Sequence, residues 1–190
     1  ICRARVSLGG GPRLPRGLSS AKSFAGQVAK GEIMDQIPLK QRAFEDFAVG
    51  ESFTLGSVQM KEEEMIGFAT QFDPQRFHVD PAAAADTMYG GLIASGWHTG
   101  SLMMRLSAEG FLGEYCLGAA GLSELSWPAP VRVGDTLTLR IEILGKRESA
   151  SKPNLGFIEL KNEMLNQNGY VALRTVGTML IARRTRDLPS

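Results

Sequence analysis

The stretch "GGLIASGWHTGSLMMRLSAEGFL", residues 90–112, decides the fold. From Ser95 to Leu112 its side chains are apolar or small almost all round, and Arg105 is the only charged one before Glu109. A helix that is apolar on every side is typical of the interior of a domain. We therefore predict a long central helix, beginning at Ser95 and buried on all sides.

After this stretch the apolar period changes from helical to two. In "DTLTLRIEIL", residues 135–144, leucine and isoleucine alternate with polar side chains, as in a strand with one buried face. The segment "NLGFIELKNEML", residues 154–165, carries a weaker alternation. The Asn168-Gly169 pair then predicts a hairpin turn before a further strand.

Before the central stretch, the pattern indicates one strand and two further helices. "FEDFAVGESFTLGSVQM", residues 44–60, reads as an entry turn and a strand, and "KEEEMIGFATQF", residues 61–72, as a helix with one apolar stripe. Asp80 and Pro81 have the composition of an N-cap and first turn of a short helix. The predicted fold class is α+β, an antiparallel sheet wrapped around one long helix.

Composition excludes several classes of protein. A chain of 190 residues with 43% hydrophobic residues is long enough for one domain with a true core. No apolar run reaches the roughly 18 residues of a membrane helix, and we expect no membrane partner. Cys2 and Cys116 lie too far apart in sequence to suggest a disulfide framework, and this favours a reducing, cytoplasmic location. Cys116 is read as a core residue.

Residues 1–33 differ from the rest of the chain. They hold six basic residues and one acidic residue, a net charge of +5, whereas the remainder carries −4. A mildly acidic body does not indicate nucleic-acid binding. Three interpretations of residues 1–33 remain: a disordered leader or non-native extension, which we favour, a mitochondrial transit peptide, which would place the protein in mitochondria, and a basic arm. We expect a single domain over residues 34–190.

The candidate chemistry lies in "FATQFDPQRFHVDP", residues 68–81. Asp73 and His78 stand five residues apart in a loop broken by proline, flanked by Phe72 and Phe77. A carboxylate and an imidazole that meet in a partly desolvated place form a proton-transfer pair. The plainer interpretation is a capped turn that carries a structural histidine.

A second candidate lies where the central helix begins. The free N–H groups after Ser95 and at Gly96 are suited to holding an oxyanion, although a serine N-cap beside a packing glycine explains the same residues. His78 and His98 with a carboxylate would resemble a metal site, but no supporting motif accompanies them. We therefore predict no metal.

Four segments together resemble the MaoC-like dehydratases, hot-dog-fold relatives of R-specific enoyl-CoA hydratases. They are "FEDFAVGESFTLG", "FATQFDPQRFHVDP", "GGLIASGWHT" and "WPAPVRVGDTLTLRIEIL", which span residues 44–144, and the resemblance extends to about residue 184. It implies a hot-dog fold and a homodimer or larger homo-oligomer with its sites at the subunit interface. It also implies that Asp73 and His78 are the catalytic pair and that the Gly96 N–H binds the thioester oxygen.

The resemblance further implies the reaction, the reversible hydration of an enoyl thioester carried by CoA, with no cofactor. Gln75 stands where the family usually has asparagine and Arg76 where it commonly has proline. We expect Gln75, Ser95 and Trp97 to contact the substrate, and Arg76 is a candidate for meeting a substrate carboxylate. The alternatives are a hot-dog thioesterase and a non-catalytic acyl-CoA-binding module.

Overall fold

The computed structural model describes residues 37–184, so the predicted leader lies outside the described residues. Two short 3₁₀ turns, Leu39–Gln41 and Phe44–Asp46, precede the main elements. The helices are α1 (Glu62–Phe72), α2 (Arg76–Val79), α3 (Pro81–Ala85) and α4 (Gly96–Gly110). The strands are β1 (Ser52–Gln59), β2 (Cys116–Ser126), β3 (Thr136–Glu148), β4 (Leu155–Leu165) and β5 (Val171–Ala182).

The five strands form one antiparallel sheet in the order β1-β3-β4-β5-β2. The alternation predicted for residues 135–144 is present, because Leu137, Leu139, Ile141 and Ile143 are all buried and belong to one core cluster with α4. The hairpin between β4 and β5 turns at Gly169, whose φ is +80°. The predicted α+β hot-dog class, an antiparallel sheet with a central helix, is confirmed.

Helix α4 begins where the sequence predicts, with Ser95 as its N-cap, but the prediction that it is buried on all sides is wrong for the single chain. His98, Thr99, Leu102, Met103 and Leu106 face the core. On the opposite side, Trp97 and Met104 are 59% and 52% exposed. Within residues 37–184 the sheet covers only one face of the helix, and the apolar face that carries Trp97 and Met104 is left open.

Strand β2 has no counterpart in the sequence-based prediction. Its sequence, CLGAAGLSELS, is rich in glycine and alanine and lacks the alternation of a half-buried strand. Gly118 and Gly121 have φ values of +127° and +146°, and the pairing with β5 shifts register three times. Because β2 is an irregular edge strand with mostly exposed side chains, hydrophobic periodicity cannot reveal it.

Candidate active site

Two helix ends bring the predicted pair together. Asp73 is the C-cap of α1, and its N–H donates to the Ala69 carbonyl at 2.8 Å. The predicted loop then contains one helical turn, α2, which carries His78 on its buried side. The turn brings His78 back toward Asp73, although five residues separate the two in sequence.

The Asp73 Oδ2 and His78 Nε2 atoms lie 3.4 Å apart. The other ring nitrogen of His78, Nδ1, lies 2.8 Å from the Ile93 carbonyl oxygen. A carbonyl oxygen only accepts, so Nδ1 carries the hydrogen and Nε2 is the nitrogen that faces the carboxylate. The His78 side chain is 6% exposed, and its burial together with the bond to Ile93 holds the ring in one orientation.

The Asp73 carboxylate accepts two further hydrogen bonds. Gln75 Nε2 donates to Oδ1 at 2.7 Å, and the Ser95 hydroxyl donates to Oδ2 at 2.7 Å. The Gln75 bond is the main reason that the pKa of Asp73 lies below its ordinary value, and the Ser95 bond and the nearby His78 add to it against the opposing effect of burial. Asp73 is therefore ionised at neutral pH, ready to accept a proton.

The beginning of α4 lies beside this pair. Gly96 is the first residue of the helix, so its N–H belongs to the turn that has no acceptor within the helix. The Trp127 indole lies against Gly96 and donates from Nε1 to the Gly96 carbonyl at 2.9 Å. A Cβ atom at position 96 would lie 2.6 Å from Trp127 Cε2, so the close approach of Trp127 requires glycine here.

A cavity of about 560 Å³ joins these groups, and its walls include Asp73, Gln75, His78, Gly96 and Trp97. Of the two flanking phenylalanines, Phe77 lines the cavity and meets the His78 ring edge-on at 4.4 Å. Phe72 is 62% exposed and is not part of the wall, so its expected desolvating role is wrong.

The side chains of Ser95 and Arg76 are not among those that line the cavity. Two contacts that organise the site were not anticipated from the sequence, the Ile93 carbonyl and the Trp127 side chain. Trp127 is the first residue of the segment "WPAPVRVGDTL". Its position directly before a proline-rich turn is the only feature of the sequence that could have indicated a role in the site. A backbone carbonyl such as that of Ile93 leaves no mark in the sequence.

The second histidine has different surroundings. His98 stacks on Phe68 of α1 with a centroid distance of 4.8 Å, and its buried Nδ1 has no hydrogen-bond partner. Burial lowers the pKa of His98, opposed by the charge of Glu64. Over residues 37–184, no three His, Cys, Asp or Glu side chains gather where they would hold a metal ion.

Comparison with known proteins shows which family this chain resembles in sequence and in structure. Residues 46–160 match the protein family described as MaoC like domain, more than half of the chain. The crystal structure of the MaoC-like dehydratase from Rhodospirillum rubrum superposes with a TM-score of 0.72 at 38% identity, covering 76% of this chain and 99% of that one.

Two further relatives extend the comparison. The (R)-hydratase from A. caviae, involved in PHA biosynthesis, has a TM-score of 0.59 and 28% identity, covering 70% of this chain and 96% of that one. The uncharacterized protein YdeM of Bacillus subtilis (strain 168) is 28% identical over 140 residues, which are 73% of this chain and 98% of YdeM. Within the described residues, no helix is long and apolar enough to cross a lipid bilayer.

Proposed function

Because the chain belongs to the MaoC-like dehydratase family, we propose that it is a hydro-lyase that reversibly hydrates an enoyl thioester, with CoA as the carrier. The observation that supports this proposal best is the pairing of Asp73 with His78. Their facing atoms lie 3.4 Å apart at a cavity that Gly96, the first residue of α4, also lines. That combination supplies a base, an acid and an oxyanion donor around one space.

The thioester carbonyl accepts a hydrogen bond from the Gly96 N–H. As water adds to C3, negative charge moves onto the carbonyl oxygen, and a fixed donor at the helix N-terminus stabilises this charge more than it stabilises the substrate. Loss of one oxyanion donor typically costs about 10²–10³ in kcat. The Trp127 indole donates a hydrogen bond to the Gly96 carbonyl, and this bond fixes the orientation of the peptide group between Gly96 and Trp97.

In the proposed mechanism one water molecule in the cavity hydrogen-bonds to both Asp73 and His78. Asp73 takes a proton from this water as its oxygen bonds to C3, and protonated His78 donates a proton from Nε2 to C2. The proton that Asp73 took from the water then passes to Nε2 across the 3.4 Å gap between the two groups, and both side chains regain their starting protonation states. The hydrogen bonds from Gln75 and Ser95 hold the carboxylate ionised and in place for the first transfer.

Purified protein with crotonyl-CoA tests the reaction. Hydration predicts loss of the enoyl absorbance while the CoA thiol stays esterified, and a thiol reagent then detects nothing. Release of free thiol instead supports a thioesterase, and binding of several acyl thioesters without either change supports a binding module. A panel of straight, branched and charged enoyl thioesters then identifies the acyl group.

We also propose that a second copy of this chain covers the open face of α4. In the part of the chain that the structure describes, strand β2 pairs on one side only, and it contains a single charged residue, Glu124. Leu117 and Leu122 on β2 are 59% and 58% exposed, as is the Trp97 side of α4. A long exposed edge with apolar side chains is a surface that proteins normally cover. Because Glu124 is the only charged residue of β2, two copies of this edge can face each other about a twofold axis with little charge repulsion.

Light scattering after gel filtration tests this assembly. The native chain should elute as a dimer or a larger even-numbered oligomer, and Leu122→Lys should shift it toward monomer by placing a charge in the contact. Val49→Lys is the matched control because Val49 is equally exposed, at 60%, but precedes β1 at the opposite edge of the sheet. A monomeric native chain, or a Leu122→Lys variant that assembles normally, contradicts this proposal.

A further inference from the structure

The hydroxyl of Ser95 both accepts and donates a hydrogen bond. It accepts the Trp97 N–H at 3.2 Å, which makes Ser95 the side-chain cap of α4, and it donates its one hydrogen to Asp73 Oδ2 at 2.7 Å. The residue is completely buried and does not line the cavity. With its only hydrogen already given to Asp73, the hydroxyl has none left to give to a substrate.

The geometry points to Ser95 as a positioning residue that acts through Asp73, instead of the substrate contact that the sequence suggests. This inference rests on the proposed hydration by Asp73 and His78. Ser95 connects the helix end that presents the Gly96 N–H to the carboxylate of the proton-transfer pair. One side chain thereby sets the distance between the oxyanion donor and the base.

The choice of oxygen atom supports this role. Asp73 Oδ2 is the atom that faces His78 Nε2, and it is also the atom that accepts from Ser95. Gln75 holds the other oxygen, Oδ1, so the two bonds together fix the rotation of the carboxylate. Without the Ser95 bond, the carboxylate can rotate about its own axis and Oδ2 no longer stays on the line to His78.

The kinetic expectation follows from that geometry. Ser95→Ala should lower kcat about 10- to 100-fold, the range for losing a hydrogen bond to a charged group, and leave KM within about threefold. Loss of a substrate contact would instead raise KM with kcat unchanged. Ser95→Thr keeps the hydroxyl and should restore most of the rate.

The loss of the helix cap has to be separated from the loss of the bond to Asp73. Ser95→Gly serves this purpose, because glycine is a tolerated N-cap that costs far less than alanine. It should keep the melting temperature near that of the native chain and still show the kcat defect. Ser107→Ala is the matched control, since Ser107 is a buried serine of the same helix that donates to the Met103 carbonyl, and its kcat should not change.

A second readout does not depend on turnover. Titration of the Asp73 carboxyl carbon by NMR should show a higher pKa in Ser95→Ala and Ser95→Gly than in the native chain and in Ser107→Ala, because a bond to the charged form has been removed. An unchanged Asp73 pKa in both variants, or a KM effect alone, overturns the inference. If the native chain hydrates no thioester, the proposed function fails while this titration still decides the role of Ser95.

Discussion

Replacing Gly96 with alanine tests the contact that organises the start of α4. The new Cβ would lie 2.6 Å from Trp127 Cε2 and 2.7 Å from Nε1, about 1 Å inside ordinary contact distance. The indole must therefore move away and give up its hydrogen bond to the Gly96 carbonyl. Trp127 is 41% exposed and has room to move outward. The loss of unfolding free energy should therefore stay near the low end of the range for overpacked cores.

We expect Gly96→Ala to lose about 1–2 kcal/mol of unfolding free energy, combining modest overpacking with the loss of one hydrogen bond. Alanine retains the backbone N–H, so the oxyanion donor itself survives. A shift of about 1 Å in its surroundings can still lower activity by up to roughly 10²-fold. Both effects therefore depend on Trp127.

A double-mutant cycle with Trp127→Ala measures that dependence. In the Trp127→Ala background the added methyl has space, so Gly96→Ala should become nearly neutral in both urea denaturation and hydration assays. Gly67→Ala is the control, because Gly67 lies in α1 with no atom near its position for a Cβ, and it should stabilise by about 0.5–1 kcal/mol. If Gly96→Ala is equally harmful with and without Trp127, the contact does not explain this glycine.

Three further predictions concern the charged and titratable groups. Gln75→Leu removes a hydrogen bond that keeps the pKa of Asp73 low, so the acid limb of kcat/KM against pH should move to higher pH, and an unmoved limb contradicts the assignment. His98→Phe should abolish a loss of stability that begins as pH falls below the ordinary histidine value of 6.5, because the unfolded state then binds a proton that buried His98 does not. The contribution of His98 to the dependence of unfolding free energy on pH is at most about 1.4 kcal/mol per pH unit, and His98→Phe should lack it. Equal slopes in the native chain and in His98→Phe would refute this prediction. Burial opposes ionisation of Glu163, but hydrogen bonds from Arg140 and Arg174 outweigh it and lower the pKa of this carboxyl. Glu163→Gln should therefore cost about 1–3 kcal/mol at pH 7, and urea denaturation should show that this cost shrinks as the pH falls.

The order and type of most elements could be predicted from the sequence because their apolar periods are regular. The alternation in residues 135–144 reports a strand whose one face is buried, and that face is indeed buried in the core. Helix α4 was found for the same reason. Its exposed Trp97 face could not be recognised, since periodicity reports apolar character and not whether the covering surface belongs to the same chain.

The site was predictable only in part. Asp73, His78 and Gly96 were proposed from chemistry, spacing and resemblance, and the structure brings all three to one cavity. The bond from Ser95 to Asp73 spans 22 residues, and the contact of Trp127 with Gly96 spans 31. Such contacts arise from tertiary packing of separate elements, so no local sequence pattern predicts them.

The measurement that tests the central claim most directly is hydration of an enoyl thioester by three proteins side by side: the native chain, Asp73→Asn and His78→Ala. General acid–base help is worth about 10²–10⁴ in rate, so each variant should lose at least about 10²-fold in kcat. Their melting temperatures should stay close to the native value. Near-native turnover in both folded variants would show that Asp73 and His78 do not carry the reaction.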